Sequence, residues 1–228
     1  MYIPICLGMP RSASRLTWQI ANALLPPEPE GWQDTLVSTE IRRIHGISKA
    51  SWPWRSHGYL RGTDPVLYTF RNPLEAYFSL LSRSGGQRHH DVLDLVLLQN
   101  EIIDKLRADE AHGRNVLWLK YEDLYEREDQ RVKLISEFLH CNYSDEDLLK
   151  LSESVSIKKN LDRVNSIPRE ESFCSYKDRP HGLQPGHVND KTMGQPGSYL
   201  QLYSSYIPEL SLKPGFKDLT LLASKLDY

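Results

Sequence analysis

The sequence predicts an α/β fold of three layers, with a mostly parallel central sheet flanked by helices. Short apolar runs at residues 2–8, 66–70 and 115–121 read as buried strands. Each is followed by a segment with helical periodicity, and that alternation favours parallel pairing. Neither an internal repeat nor a linker divides the 228 residues, so residues 1–228 read as one domain.

The elements follow in order. Residues 2–8 form the first strand, with Pro4 tolerable near its start. Residues 14–25 form a helix that Ser12 or Ser14 can cap and that Pro26 and Pro27 stop. Residues 26–34 read as a surface loop, 35–47 are ambiguous, and 48–65 form a long connection rich in aromatics and turn residues. "VLYTF", 66–70, is a strand, and Pro73 opens the helix that runs to residue 83. Residues 91–108 form an amphipathic helix, 115–121 a strand and 126–140 a helix. Helical runs follow near 145–151 and 153–163. Residues 165–197 lack periodicity, and 198–206 and 216–226 read as short helices.

The totals exclude several classes. Formal net charge is −2, so any anion site must be a local concentration of Arg and Lys, and nucleic acid is not an expected partner. The cysteines Cys6, Cys141 and Cys174 are odd in number and widely spaced, which gives neither a disulfide framework nor a zinc pattern. Cys6 reads as a small core residue. No run reaches the length of a membrane span, and the N-terminus lacks the pattern of a signal peptide. The expected location is the cytoplasm.

Two segments carry chemistry. "GMPRSASRLTW", 8–18, places Arg11 and Arg15 on a small-residue turn between strand and helix. Backbone N–H groups and the helix dipole attract an anion there. Arg offers a planar fork to phosphate or sulfate oxygens, and Ser12 and Ser14 add hydroxyls. The turn is not a Walker A loop, because Ala13, Ser14 and Arg15 stand where Gly-Lys-Ser/Thr is needed. The second segment, "RNPLEAYFSLLSR", 71–83, sets Arg71 at a strand end. Glu75, Ser79 and Arg83 share one helix face, where Glu75 and Arg83 suit a salt bridge. In a parallel sheet, Arg11 and Arg71 fall on the same edge.

With these segments in view, the chain resembles the sulfotransferases that use 3′-phosphoadenosine 5′-phosphosulfate (PAPS). "PRSAS", 10–14, looks like their 5′-phosphosulfate loop, and "RNPLEAYFSLLSR" looks like their 3′-phosphate motif. "LKYEDL", 119–124, and "GQPGSY", 194–199, match two further motifs in order, and "RSH", 55–57, sits where the family has Lys-Thr-His. The resemblance implies a P-loop nucleotide hydrolase-like sulfotransferase fold. It implies that Arg71 and Ser79 hold the 3′-phosphate, while Arg11, Ser12, Ala13, Ser14 and Arg15 cradle the phosphosulfate. By the same likeness Tyr121 edges the adenine, and Gly194 and Gly197 fold the late loop over the nucleotide. Glu122 and Asp123 are expected to be structural.

His57 is the expected base for an acceptor hydroxyl, since His titrates near working pH. His181 and His187 are runners-up, and Glu40 is a carboxylate alternative. Arg11 replaces the lysine of many members, and arginine stabilises charge without donating its proton near neutral pH. Ala13 replaces a glycine. Leu16 stands where cytosolic members place an adenine-stacking tryptophan, with Trp18 expected in the core, so stacking must come from elsewhere, near the 190s.

Sulfuryl carries less negative charge than phosphoryl, so no metal is expected. A small-molecule acceptor is the expected partner, lined by residues from 26–65, 84–92 and 165–193; its identity and the oligomeric state stay open. The rival readings are a P-loop kinase-like phosphotransferase and a non-catalytic nucleotide-binding protein.

Overall fold

A computed structural model describes residues 4–9, 11–25, 42–43, 64–83, 89–166 and 194–228. Strand β1 is Ile5–Gly8, helix α1 Ser14–Leu24, strand β2 Arg42–Arg43 and strand β3 Val66–Phe70. Helices α2 (Pro73–Arg83) and α3 (His89–Ala111) precede strand β4 (Val116–Lys120). A 3₁₀ turn, Glu122–Leu124, leads to α4 (Glu128–Phe138), α5 (Asp145–Ser154) and α6 (Ile157–Asn165). The last described segment holds α7 (Ser198–Leu202), a 3₁₀ turn at Ser204–Tyr206, α8 (Ile207–Leu210) and α9 (Phe216–Lys225).

The described strands are all parallel, in the order β2-β1-β3-β4. Gly8 lies opposite Thr69 and Phe70 opposite Lys120, so β1, β3 and β4 end on one edge. The α/β class with a parallel sheet is therefore as the sequence predicted.

Side-chain alternation along the strands sorts the core into two faces. Ile5, Leu7, Val66 and Tyr68 face α2, α3 and α9 through Tyr77, Phe78, Ile103 and Leu219. Cys6, Leu67 and Leu119 face α1 and α4 through Ile20, Leu24, Val132 and Ile135. Burying each large aliphatic side chain contributes about 1.5–3 kcal/mol, against about 1 kcal/mol for a net hydrogen bond. Apolar burial on both faces therefore holds the sheet. Leu16 and Trp18 pack against the second face.

The neighbours β1 and β3 thus send their following helices to opposite faces of the sheet. In open parallel sheets, such a reversal marks the place beyond the strand ends where ligands bind. Among the described residues, no helix is long and apolar enough to cross a membrane.

Two local expectations differ from the structure. The residue that caps α1 is Ala13, in the left-handed region, and it makes no side-chain hydrogen bond. The Ser12 hydroxyl is spent elsewhere: it bonds the Met9 carbonyl at 2.6 Å and the Thr69 carbonyl at 3.0 Å. The run expected at 198–206 divides into α7 and a 3₁₀ turn, and α8 follows where no helix was expected.

Candidate anion site at the sheet edge

The site starts with the turn after β1. Gly8 must be glycine for lack of room: a Cβ there would stand 2.1 Å from Thr69 Oγ1 and 2.7 Å from the Ser14 Cβ. The chain then reverses tightly, with Arg11 at φ 66 and Ala13 at φ 64. Positive φ in a residue with a Cβ is strained. The fold over-determines it: Ser12 is buried and its hydroxyl also meets Thr69 Oγ1 at 2.8 Å. Ser14 is buried at the start of α1.

Arg71 enters from the end of β3. It is 2% exposed. Its Nη1 donates to the Arg11 carbonyl at 3.1 Å, and its Nη2 donates to Glu75 Oε2 at 2.7 Å. The guanidinium lies 4.6 Å from the centroid of the Tyr121 ring. Its Nε is buried without a hydrogen-bond partner among the described residues. Arg11 reaches back in the opposite sense, its Nε donating to Ser79 Oγ at 3.0 Å. Arg11, Arg71 and Ser79 therefore stand in one cluster, although 68 residues separate the first from the last.

Tyr121 follows β4, and its hydroxyl donates to the Gly194 carbonyl at 2.7 Å. Burial pushes the phenol up to about 12. Gly194 and Gly197 hold φ 74 and φ 81, which glycine adopts without strain. Glu122 ties loops together: Oε1 accepts from the Asn72 backbone N–H at 2.9 Å, and Oε2 accepts from the Tyr228 hydroxyl.

Glu75 makes contacts that the sequence reading did not assign, while the side chain of its expected partner, Arg83, lies outside the described residues. The described ion pair of Glu75 is with Arg71, four residues back, and its Oε1 accepts from the Leu200 N–H at 2.7 Å. Desolvation raises its pKa above the ordinary 4.5, and the Leu200 amide and Arg71 oppose that shift. Helix spacing favours this pair, since Arg71 is four residues from Glu75 and Arg83 is eight, about 12 Å along a helix. Breaking such a buried pair costs about 3–5 kcal/mol.

His57, the expected base, lies outside the described residues, as do His181, His187 and Glu40. Most of the segments expected to line the acceptor pocket lie outside them too. Arg15 is the second residue of α1, but its side chain is not among those described. Among the described residues, no group of three or more His, Cys, Asp or Glu is placed to hold a metal ion.

The arrangement suits an anion of the phosphate or sulfate type. Arg11 and Arg71 meet at the sheet edge, the cap of α1 makes no side-chain hydrogen bond, and a buried Arg71 N–H has no hydrogen-bond partner among the described residues. No protein-family model matches the chain, and no curated protein matches it.

Proposed function

We propose that this chain is a sulfotransferase of P-loop-like fold. It moves a sulfuryl group from PAPS to a hydroxyl or amine of a small acceptor and releases adenosine 3′,5′-bisphosphate, in the cytoplasm. The observation that carries the reading is the cluster of Arg11, Arg71 and Ser79, drawn from two motifs far apart in sequence onto one sheet edge. The late glycine turn joins the same edge through Tyr121.

When bound, PAPS supplies an electrophilic sulfur and a phosphate leaving group. Arg71 and Ser79 bind the 3′-phosphate, and Arg11 leaves Ser79 as that anion arrives. Arg11, Ala13, Ser14 and Arg15 then surround the phosphosulfate with amides and positive charge. Ser12 serves by holding the turn against Thr69. Arg11 stabilises charge on the leaving oxygen without giving up a proton. His57 takes the acceptor proton and orients the attacking oxygen in line.

The test is transfer of labelled sulfuryl from PAPS to a panel of phenols, sugars and amines, with a chelator present. Wild type should turn over; His57→Ala should keep bisphosphate affinity and lose about 100-fold or more in kcat. Normal turnover by His57→Ala removes that base, and no transfer to any acceptor together with tight bisphosphate binding favours the non-catalytic rival.

A further inference from the structure

The Glu75 carboxylate closes a ring of contacts around the anion site. It is 1% exposed. Oε2 takes an Arg71 Nη2 proton and Oε1 takes the Leu200 backbone N–H. Leu200 lies in α7, which follows directly on the turn at 194–197, whose Gly194 carbonyl accepts from Tyr121. Tyr121 in turn carries the Arg71 guanidinium on its ring, and Arg71 reaches the Arg11 carbonyl. Four separate stretches of chain therefore meet through one side chain and the arginine it holds.

Only a carboxylate completes this ring. Both of its neighbours are donors, and each has its own oxygen. A glutamine of the same shape has one oxygen and one NH₂, so it must aim a donor at either Arg71 or Leu200. Aspartate keeps both acceptors on a shorter stem. A plain i,i+4 helix pair would need the Arg71 contact alone, and the Leu200 bond goes beyond it.

We propose that Glu75 is a positioning residue for the anion site, fixing the Arg71 guanidinium and the segment at 194–202 in one arrangement that receives the ligand. The proposal rests on the sulfotransferase reading above. It makes a prediction of sign. A carboxylate that only stood near an anion would repel it, and neutralising it would tighten binding. A positioning carboxylate does the reverse.

The experiment is calorimetric titration of wild type, Glu75→Gln and Glu75→Asp with adenosine 3′,5′-bisphosphate, with the Tm of each. Glu75→Gln should bind about tenfold more weakly or worse, as expected for one lost charge-assisted hydrogen bond. Glu75→Asp should fall between it and wild type. Equal or tighter binding by Glu75→Gln overturns the proposal and leaves the sulfotransferase reading standing. Equal weakness of the Gln and Asp variants also overturns it, because the paired acceptors would then not matter. Should Glu75→Gln fail to fold, Glu75→Asp carries the test: several-fold weaker binding supports positioning, and an unchanged Kd contradicts it. Failure of wild type to bind the bisphosphate removes the sulfotransferase reading and this proposal with it.

Discussion

The Tyr121 hydroxyl donates to the Gly194 carbonyl across 73 residues of sequence, and the two positions leave each other no slack. Gly194 holds φ 74, and a Cβ there would stand 2.5 Å from Tyr121 Oη. Burial pushes the phenol up to about 12, so the hydroxyl keeps its proton at neutral pH and can donate. The end of β4 and the late glycine turn are thus one structural unit at the edge that carries Arg71.

Gly194→Ala should destabilise the chain by about 1–3 kcal/mol, since it adds both backbone strain and a clash. Tyr121→Phe removes only the hydrogen bond and should cost about 1 kcal/mol. Denaturant unfolding of both variants checks the order. Equal stability of Gly194→Ala and wild type would mean that the turn does not sit against Tyr121.

Ala13→Gly probes the turn after β1. At an ordinary helix start with negative φ, exchanging Ala for Gly loses stability through chain entropy. At φ 64 the exchange also relieves left-handed strain of about 1 kcal/mol. The two effects offset, so stability should stay within about 0.5 kcal/mol of wild type or rise. A loss of about 1 kcal/mol in thermal unfolding would place Ala13 at negative φ.

Arg131, in α4, gives a pH-resolved prediction. It is buried; Nη2 donates to the Leu124 carbonyl at 3.2 Å, while Nε and Nη1 have no hydrogen-bond partner among the described residues. Burial lowers its pKa from 12.5 to about 10, opposed by Tyr121 and Glu128. Between those values the unfolded chain binds the extra proton, so stability rises with pH there, and below about 10 the full penalty of the buried charge is present. Arg131→Met should therefore stabilise the chain by about 1 kcal/mol or more, by the same amount from about pH 6 to about pH 9. Destabilisation across that range would show that the guanidinium is satisfied in solution.

The strands and most helices were legible because their cause is local. "VLYTF" is an unbroken apolar run and is the strand β3. The strand at 116–120 and the long helix at 89–111 follow their own periodicity within a few residues. The edge that gathers Arg11 and Arg71 was also legible, since parallel strands end together. Contacts made by folding were not. Ser12 is a good cap by composition, yet Thr69, 57 residues away, takes its hydroxyl. The Arg71–Glu75 pair stands at i,i+4 spacing, but Arg71 lies before the helix that begins at Pro73, so helix periodicity alone did not announce it. No local pattern announces that Tyr121 meets Gly194 or that Leu200 meets Glu75. The short helix α8 begins with Ile207 and Pro208 and is too brief for a periodic signal.

The central claim is that the cluster of Arg11, Arg71 and Ser79 binds a phosphosulfate nucleotide. Calorimetric titration with adenosine 3′,5′-bisphosphate, beside ADP with Mg²⁺, tests it most directly. Tight metal-free binding of the bisphosphate, much weaker binding of ADP and loss of the bisphosphate in Arg71→Ala are the predicted results. No binding of the bisphosphate, or tighter binding of ADP that requires Mg²⁺, would contradict the sulfotransferase account and favour a kinase-like phosphotransferase.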